Sequence, residues 1–100
     1  MAERKLLWSD RALNDYESLV DYLLEEWGKE ITIRIATEID ETIERIQNNP
    51  EHYPMVLKDK SIQRCVFSAQ TSIYFRVTNE LVEIVSLFDN RQDPYKLTQL

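Results

Sequence analysis

Glycine, cysteine and histidine are almost absent from this chain, which has one of each among its 100 residues. A single glycine excludes a glycine-rich phosphate loop, and one histidine with one cysteine excludes the usual zinc ligand sets. The same scarcity excludes a Ser-His-Asp triad, because the lone histidine, His52, lies in a loop between two prolines. We therefore expect neither a metal nor a cofactor.

Disulfides, targeting segments and membrane spans are also missing from the sequence. Cys65 has no second cysteine to bridge, and its place in a strand-like stretch fits a small buried side chain in a reducing cytoplasm. The opening residues, MAERKLLWSD, lack the apolar core of a signal peptide, and no stretch approaches the roughly 18 apolar residues of a membrane span. We expect a cytoplasmic protein without membrane contact, folded as one domain over residues 1–100.

Acidic residues outnumber basic residues by 18 to 12, which gives a formal net charge of −6. The excess lies in residues 1–50, which carry 12 acids and 6 bases, whereas residues 51–100 carry 6 of each. The stretch from Lys58 to Thr78 contains four basic residues and one acidic residue. An acidic chain is poorly suited to nonspecific nucleic-acid binding, which depends on phosphate neutralisation, but a local basic surface in the second half is compatible with these counts.

Two apolar stripes at helical spacing occupy the first half of the chain. The first predicts a helix over residues 10–27, with Ser9 or Asp10 as its N-cap and Gly28 as a left-handed C-cap. The second, a row of isoleucines over residues 31–46, is ended by an Asn-Asn-Pro sequence, because the residue before proline avoids the helical conformation. The two helices are predicted to form an antiparallel hairpin.

The remaining segments alternate with period two and predict strands. These strands cover residues 4–9, 61–67, 72–77 and 81–88. A two-residue turn at residues 79–80 would place Phe75 opposite Ile84 and Arg76 opposite Glu83, so that one face is apolar and the other carries a charge pair. The predicted fold is α+β with the order β-α-α-β-β-β, in which the helical hairpin packs on a curved, mainly antiparallel sheet.

The sheet face opposite the helices is a candidate site. The predicted register brings Arg64 near Arg76 with Tyr74 beside them, and like charges on neighbouring strands lower stability unless an acid or an anion neutralises them. Glu83 is the acid available within the chain. The pattern therefore fits either a binding surface or a solvated charge ladder, and a one-residue change of register would send Arg64 to the other face.

The order of the elements and the stretches NPEHYP, IQRCVFSAQTSIYFRV and VEIVSLFDNRQDPYKL resemble the RelE/ParE superfamily of bacterial toxins from type II toxin-antitoxin systems. The resemblance covers nearly the whole chain. Its most specific part is an apolar last strand that runs into FDNRQDP, an ending similar to that of chromosomal and plasmid-borne ParE-like members. The resemblance implies a toxin of a plasmid-stabilisation type of system, held inactive by a cognate antitoxin.

The superfamily has two branches with different chemistry. RelE-like toxins enter the ribosome and cleave mRNA with basic side chains that stabilise the charge on the scissile phosphate, whereas ParE-like toxins inhibit DNA gyrase by protein contact. The sequence favours the ParE-like branch, because Ser72 stands where the ribonucleases carry an arginine, and Gln63 and Cys65 stand where they carry lysines. The acidic balance also argues against docking on ribosomal RNA.

The resemblance further implies that the C-terminal segment lies beside the functional surface. The candidate target-binding residues are Arg64, Tyr74, Arg76, Arg91 and Tyr95. If the chain is a ribosome-dependent mRNA endoribonuclease, then Arg64, Arg76 and Arg91 hold the phosphate and Tyr95 donates a proton. For this segment one alternative stays open: Asp89 and Arg91 pair locally and Pro94 merely ends the strand. For the whole chain a third function also stays open, that of a decayed homologue that only binds its antitoxin.

Overall fold

Two helices pack on one face of a five-stranded sheet in the computed structural model, which describes residues 4–100. The elements are β1 (Lys5–Trp8), α1 (Asp10–Trp27), α2 (Lys29–Asn48), β2 (Met55–Leu57), β3 (Ile62–Val66), β4 (Thr71–Val77) and β5 (Leu81–Asp89), with short 3-10 turns at Pro50–His52, Lys58–Lys60 and Pro94–Gln99. The strand order is β1-β5-β4-β3-β2, with β1 parallel to β5 and the other pairs antiparallel. The predicted α+β fold and its element order are confirmed, with β2 added.

Helix α1 has the predicted bounds, and local chemistry explains both ends. Ser9 is the N-cap, and its hydroxyl accepts a hydrogen bond of 3.0 Å from the backbone N–H of Ala12. Gly28 ends the helix with φ 85° and ψ 176°, and its N–H donates to the carbonyls of Leu23 and Leu24. Because φ is positive, a residue with a Cβ would be strained at position 28.

The start of α1 is tied to a β-bulge in β5. Register with β4 leaves Val85 as one extra residue in β5, and its carbonyl accepts a hydrogen bond of 2.8 Å from the Ser9 hydroxyl. Further along α1, Asp15 Oδ2 accepts hydrogen bonds from Ser86 Oγ at 2.7 Å and from the N–H of Leu87 at 3.1 Å. The bulge therefore has polar partners on the helix, which positions α1 on the sheet.

The main core lies between the helices and the inner face of the sheet. Ile39 is 1% exposed and Phe75 is 0% exposed, as the apolar patterns predict. The buried members of this core are Ala12, Ile39, Ile43, Ile46, Cys65, Ile73, Phe75, Val82, Ile84 and Leu87. The predicted turn at residues 79–80 is also confirmed, since Phe75 pairs with Ile84. Burial of these apolar side chains is the main source of stability.

A second apolar cluster on the outer face of the sheet was not predicted. It consists of Ile62, Tyr74, Val85 and Phe88, with Leu57, Leu97 and Leu100 packed against it. Residues 97 and 100 reach this face because the last 3-10 turn folds back over the sheet. The sequence analysis placed a charge pair and Tyr74 on this face but did not predict that apolar side chains form a cluster there. The three-residue strand β2, which supplies Leu57, is too short to show a period-two pattern.

Candidate functional site

The outer sheet face brings together two of the arginines that the sequence analysis selected. Arg64 lies opposite Tyr74 in the β3–β4 register, and Arg76 lies opposite Ile62, so that Arg64 and Arg76 are diagonal neighbours on one face. The side chain of Arg64 is exposed. It forms no ion pair with any acid in residues 4–100. Arg64 is therefore available to an external partner.

Arg76 is held by groups of its own chain. Its Nη1 lies 2.8 Å from Oε1 of Glu83, and its Nε donates a hydrogen bond of 2.9 Å to the carbonyl of Lys60. The predicted cross-strand pair of Arg76 and Glu83 is confirmed. The positive charge of Arg76 is therefore compensated by Glu83, and the orientation of its guanidinium is set by Glu83 and the Lys60 carbonyl together.

Tyr74 and Tyr95 occupy opposite kinds of environment. Tyr74 is 2% exposed, and its ring meets that of Phe88 edge to face, with centroids 5.9 Å apart. It supports the outer face from below and is not itself presented to a partner. Tyr95 is 68% exposed at the start of the last 3-10 turn, where its N–H donates to Asp93 Oδ1 at 3.0 Å.

The last 3-10 turn is fastened to the sheet by a lysine and two leucines. The ammonium of Lys60 donates to the carbonyls of Thr98 and Leu100, the latter at 3.0 Å. Leu97 and Leu100 are partly buried on the outer cluster. This turn therefore determines how much of the apolar outer face is open to contact.

The polar stretch after β5 fastens the end of that strand to the β3–β4 hairpin. Asn90 donates from its N–H to the carbonyl of Gln70 at 2.7 Å, and its Oδ1 accepts from the hydroxyl of Ser72 at 2.8 Å. Asp89 forms a two-point ion pair with Arg91, and this bonding holds the pKa of the Asp89 carboxyl below its usual value. The same pair raises the pKa of Arg91. The local pairing of Asp89 with Arg91 is confirmed.

Arg91 lies on the rim of a pocket of about 320 Å³ between α1 and the ends of β4 and β5. The pocket is lined by Asp15, Ser18, Leu19, Tyr22, Gln70, Thr71, Leu87, Asp89, Arg91 and Gln92. The candidate arginines therefore do not converge: Arg64 and Arg76 lie on the outer face, whereas Arg91 faces helix α1. Sequence reasoning missed this pocket, although the four α1 residues have the i, i+3, i+4, i+7 spacing of one helix face.

Neither a metal-binding cluster nor a reactive thiol is found in residues 4–100. No group of three or more His, Cys, Asp and Glu side chains there could hold a metal ion. Cys65 is free and 6% exposed, and burial raises the pKa of its thiol, which keeps it protonated and unreactive. Within the same residues, neither helix has the length and apolar character needed to cross a bilayer.

Similarity to known proteins supports a toxin fold. Three solved structures resemble the chain, each at low sequence identity. A chromosomal ParDE toxin-antitoxin system from P. aeruginosa has a TM-score of 0.72 and 17% identity, over 87% of this chain and 96% of that chain. A YoeB/ParE toxin from Agrobacterium tumefaciens has a TM-score of 0.64 and 16% identity, over 86% and 98%. The DinJ-YafQ toxin-antitoxin complex of E. coli has a TM-score of 0.58 and 14% identity, over 88% and 93%.

At these identities the structural likeness establishes the fold alone. No protein of curated function matches the sequence. The family model described as the ParE toxin of the type II toxin-antitoxin system, parDE, matches residues 6–94, which include every helix and all but the first residue of the sheet. The chain belongs to the ParE toxin family of type II toxin-antitoxin systems.

Proposed function

We propose that this toxin is neutralised by a cognate antitoxin and inhibits DNA gyrase by protein-protein contact. The choice of mechanism rests on one observation, which is that two of the candidate arginines are already ion-paired within the chain. Arg76 is paired with Glu83 and Arg91 with Asp89, and the two pairs lie on different sides of the sheet. Gyrase is the target that membership of the ParE branch implies.

Cleavage of RNA would require cationic groups that point at one developing negative charge. Arg76 and Arg91 already form ion pairs with carboxylates of the same chain. Of the three candidate arginines, only Arg64 lacks such a partner within residues 4–100. A contact inhibitor has no such requirement, because its affinity depends on a few exposed anchor residues at a surface. The arrangement therefore favours contact over phosphodiester chemistry, with the ribosome-dependent endoribonuclease as the second candidate.

The antitoxin proposal rests on the helical hairpin as well as on the family. The solved structures that resemble this chain include complexes of other toxins with their antitoxins. Here the two helices leave large apolar side chains exposed: Leu13 (51%), Leu24 (46%), Trp27 (59%) and Ile33 (55%). These lie in the half of the chain that carries 12 acids and 6 bases. Such a surface suits a basic amphipathic segment that folds on binding.

The mechanism can be tested by two assays on the same purified protein. Gyrase would be given relaxed plasmid, and a translation extract would be given a defined mRNA whose ends are mapped. We expect loss of supercoiling and intact mRNA. Codon-dependent mRNA cleavage with normal supercoiling would establish the endoribonuclease instead. If neither activity appeared while antitoxin binding persisted, the chain would be a decayed homologue.

The antitoxin partnership has its own test. The small protein encoded beside this gene would be co-expressed with the toxin, and the complex would be isolated through a tag on the toxin. We expect a stable complex that suppresses the toxin's effect on gyrase. Failure of the two proteins to co-purify would contradict the proposed partner.

A further inference from the structure

The pocket beside Arg91 is built from rigid elements. One wall is the face of α1 that carries Asp15, Ser18, Leu19 and Tyr22, and the facing wall comes from the ends of β4 and β5 and the turn after β5. Helix α1 is fixed to β5 by the hydrogen bonds that the Asp15 carboxylate accepts from the Ser86 hydroxyl and the Leu87 N–H. The shape of the pocket is therefore set by the fold before any ligand arrives.

The charge inside the pocket is uneven. Asp89 is matched by Arg91 through bonds of 3.0 Å and 2.9 Å, so this pair contributes no net charge. Asp15 has no cationic partner in residues 4–100. Its Oδ2 receives both of its hydrogen bonds, and Oδ1 receives none from the same residues. The uncompensated charge of the pocket is thus one carboxylate with a free oxygen.

The remaining lining fits a long basic side chain. Leu19 and Leu87 can cover methylene groups, while the hydroxyl oxygens of Ser18 and Thr71 can accept hydrogen bonds from a guanidinium or an ammonium group. An anion would have only the Arg91 charge to meet, and Asp89 already occupies that charge. Electrostatic complementarity therefore favours a cation.

We propose that this pocket binds an arginine or lysine side chain of the antitoxin, with Asp15 as the charged partner. The inference rests on the antitoxin partnership proposed above and adds the contact that selects a basic residue. It places that residue over α1 beside the end of β5, away from the outer sheet face that carries Arg64 and Arg76.

The pocket can be tested without the antitoxin. Amide chemical shifts of the isolated, isotope-labelled protein would be followed by NMR during titration with butylguanidinium chloride, and in parallel with sodium butanoate at equal ionic strength. We expect saturable shifts at Leu19, Gln70, Leu87 and Gln92 with butylguanidinium only. The same shifts with butanoate would identify an anion site, and an absence of saturation with both probes would show that no site exists. Either result overturns the proposal.

Two variants locate the effect. Asp15→Asn should weaken butylguanidinium binding about tenfold, because a hydrogen bond to a charged partner is lost. Ser18→Arg introduces a basic side chain at an exposed position of α1 that lines the pocket. Because this side chain would fill the pocket, it should abolish the shifts caused by butylguanidinium. Asn79→Arg adds the same charge at an exposed position in the β4–β5 turn, outside both the pocket and the helical hairpin, and should leave the shifts intact. If Asp15→Asn fails to fold, the comparison of Ser18→Arg with Asn79→Arg still decides the question.

The antitoxin arm uses the same pair of variants in the purified complex. Ser18→Arg should lower the affinity for the antitoxin at least tenfold, whereas Asn79→Arg, outside the helical hairpin, should not. Equal affinities would overturn the assignment of this pocket to the antitoxin even if butylguanidinium binds. If the antitoxin partnership itself fails, no complex forms with the unaltered protein, and that result is distinct from a failure of the pocket.

Discussion

Arg91 and Asp89, two residues apart in the chain, form a two-point ion pair in which Nε lies 3.0 Å from Oδ1 and Nη2 lies 2.9 Å from Oδ2. The pair occupies the stretch where β5 ends and the chain turns toward the last 3-10 turn. Because two parallel hydrogen bonds define its geometry, the guanidinium is held at the rim of the α1 pocket.

The pair predicts a specific pH dependence of stability. The pKa of Asp89 is lower in the folded chain, mainly through its hydrogen bond from the Arg91 side chain, so the pair stabilises the fold above the unfolded pKa of about 3.9. This stabilisation is lost as the pH falls through the lower folded pKa. Arg91→Ala should therefore lower the free energy of unfolding at pH 7, and the difference from the unaltered protein should vanish in stronger acid.

Urea unfolding at a series of pH values measures this difference. Lys29→Ala is the control, since it removes one positive charge from an exposed position in the same chain. A difference that stays constant from neutral pH into acid would show that Arg91 acts through something other than Asp89.

The core assignment predicts large losses of stability. Ile39→Ala should lower the free energy of unfolding by about 2 to 5 kcal/mol and Phe75→Ala by about 3 to 5 kcal/mol, because each leaves a cavity between the helices and the sheet. Ile33→Ala removes a side chain that is 55% exposed and should change it by about 0.5 kcal/mol or less. Urea unfolding of the three variants compares them, and similar midpoints would contradict the layer assignment.

The hairpin between the helices depends on the backbone of its single glycine. A Cβ added at Gly28 would meet no atom within 4 Å, so the effect of Gly28→Ala isolates the strain of φ 85° and ψ 176°. We expect a loss of about 1 to 3 kcal/mol in the free energy of unfolding. Gly28→Asn should lose a comparable amount, since this conformation lies outside the left-handed helical region that asparagine tolerates. Thermal or urea unfolding tests both, and an unchanged Gly28→Ala variant would show that the hairpin adopts another conformation in solution.

The proposed gyrase contact predicts which arginines matter. Arg64 is exposed and has no acidic partner within residues 4–100, so Arg64→Ala should weaken gyrase inhibition, with a loss of about 2 to 4 kcal/mol of binding if it is a central anchor. Arg91→Ala should also relieve toxicity if the end of β5 contributes to the contact. The measurement is the concentration that halves supercoiling, with Lys29→Ala as the matched control.

Inhibition that is equal for Arg64→Ala and the unaltered protein would remove the outer face from the proposed surface. Loss of mRNA cleavage in the same variant, with supercoiling normal throughout, would instead assign Arg64 to phosphate binding.

Local chemistry explains why much of the fold could be predicted from the sequence. Helix α1 is bounded by a serine cap and a positive-φ glycine, and the Asn79–Glu80 turn determines the pairing of Arg76 with Glu83. These signals act between residues that are close in the chain, so they are visible without a structure.

The bulge at Val85 shows where such reasoning stops. Strict alternation from Ile84 would send Phe88 to the core and Leu87 outward, but the extra residue reverses them: Leu87 belongs to the inner core and Phe88 to the outer cluster. Ser9, which stabilises the bulge, lies far from it in the sequence, so no local sequence pattern predicts the extra residue. The α1 pocket was missed for the same reason, because its walls come from distant segments.

The pairing of β1 with β5 also has a consequence for the order in which the chain can fold during synthesis. Strand β1 pairs only with β5 among the described strands, and the Ser9 to Val85 hydrogen bond spans 76 residues. Contacts this distant in sequence form late, since a long loop must close before they stabilise anything. A nascent chain that stops before Leu81 lacks the strand that pairs with β1, and it also lacks the Val85 carbonyl and the Ser86 and Leu87 donors that hold α1 on the sheet. The toxin therefore cannot reach its native form on the ribosome until β5 has been translated, which gives an antitoxin that is already present time to meet the chain before it is native.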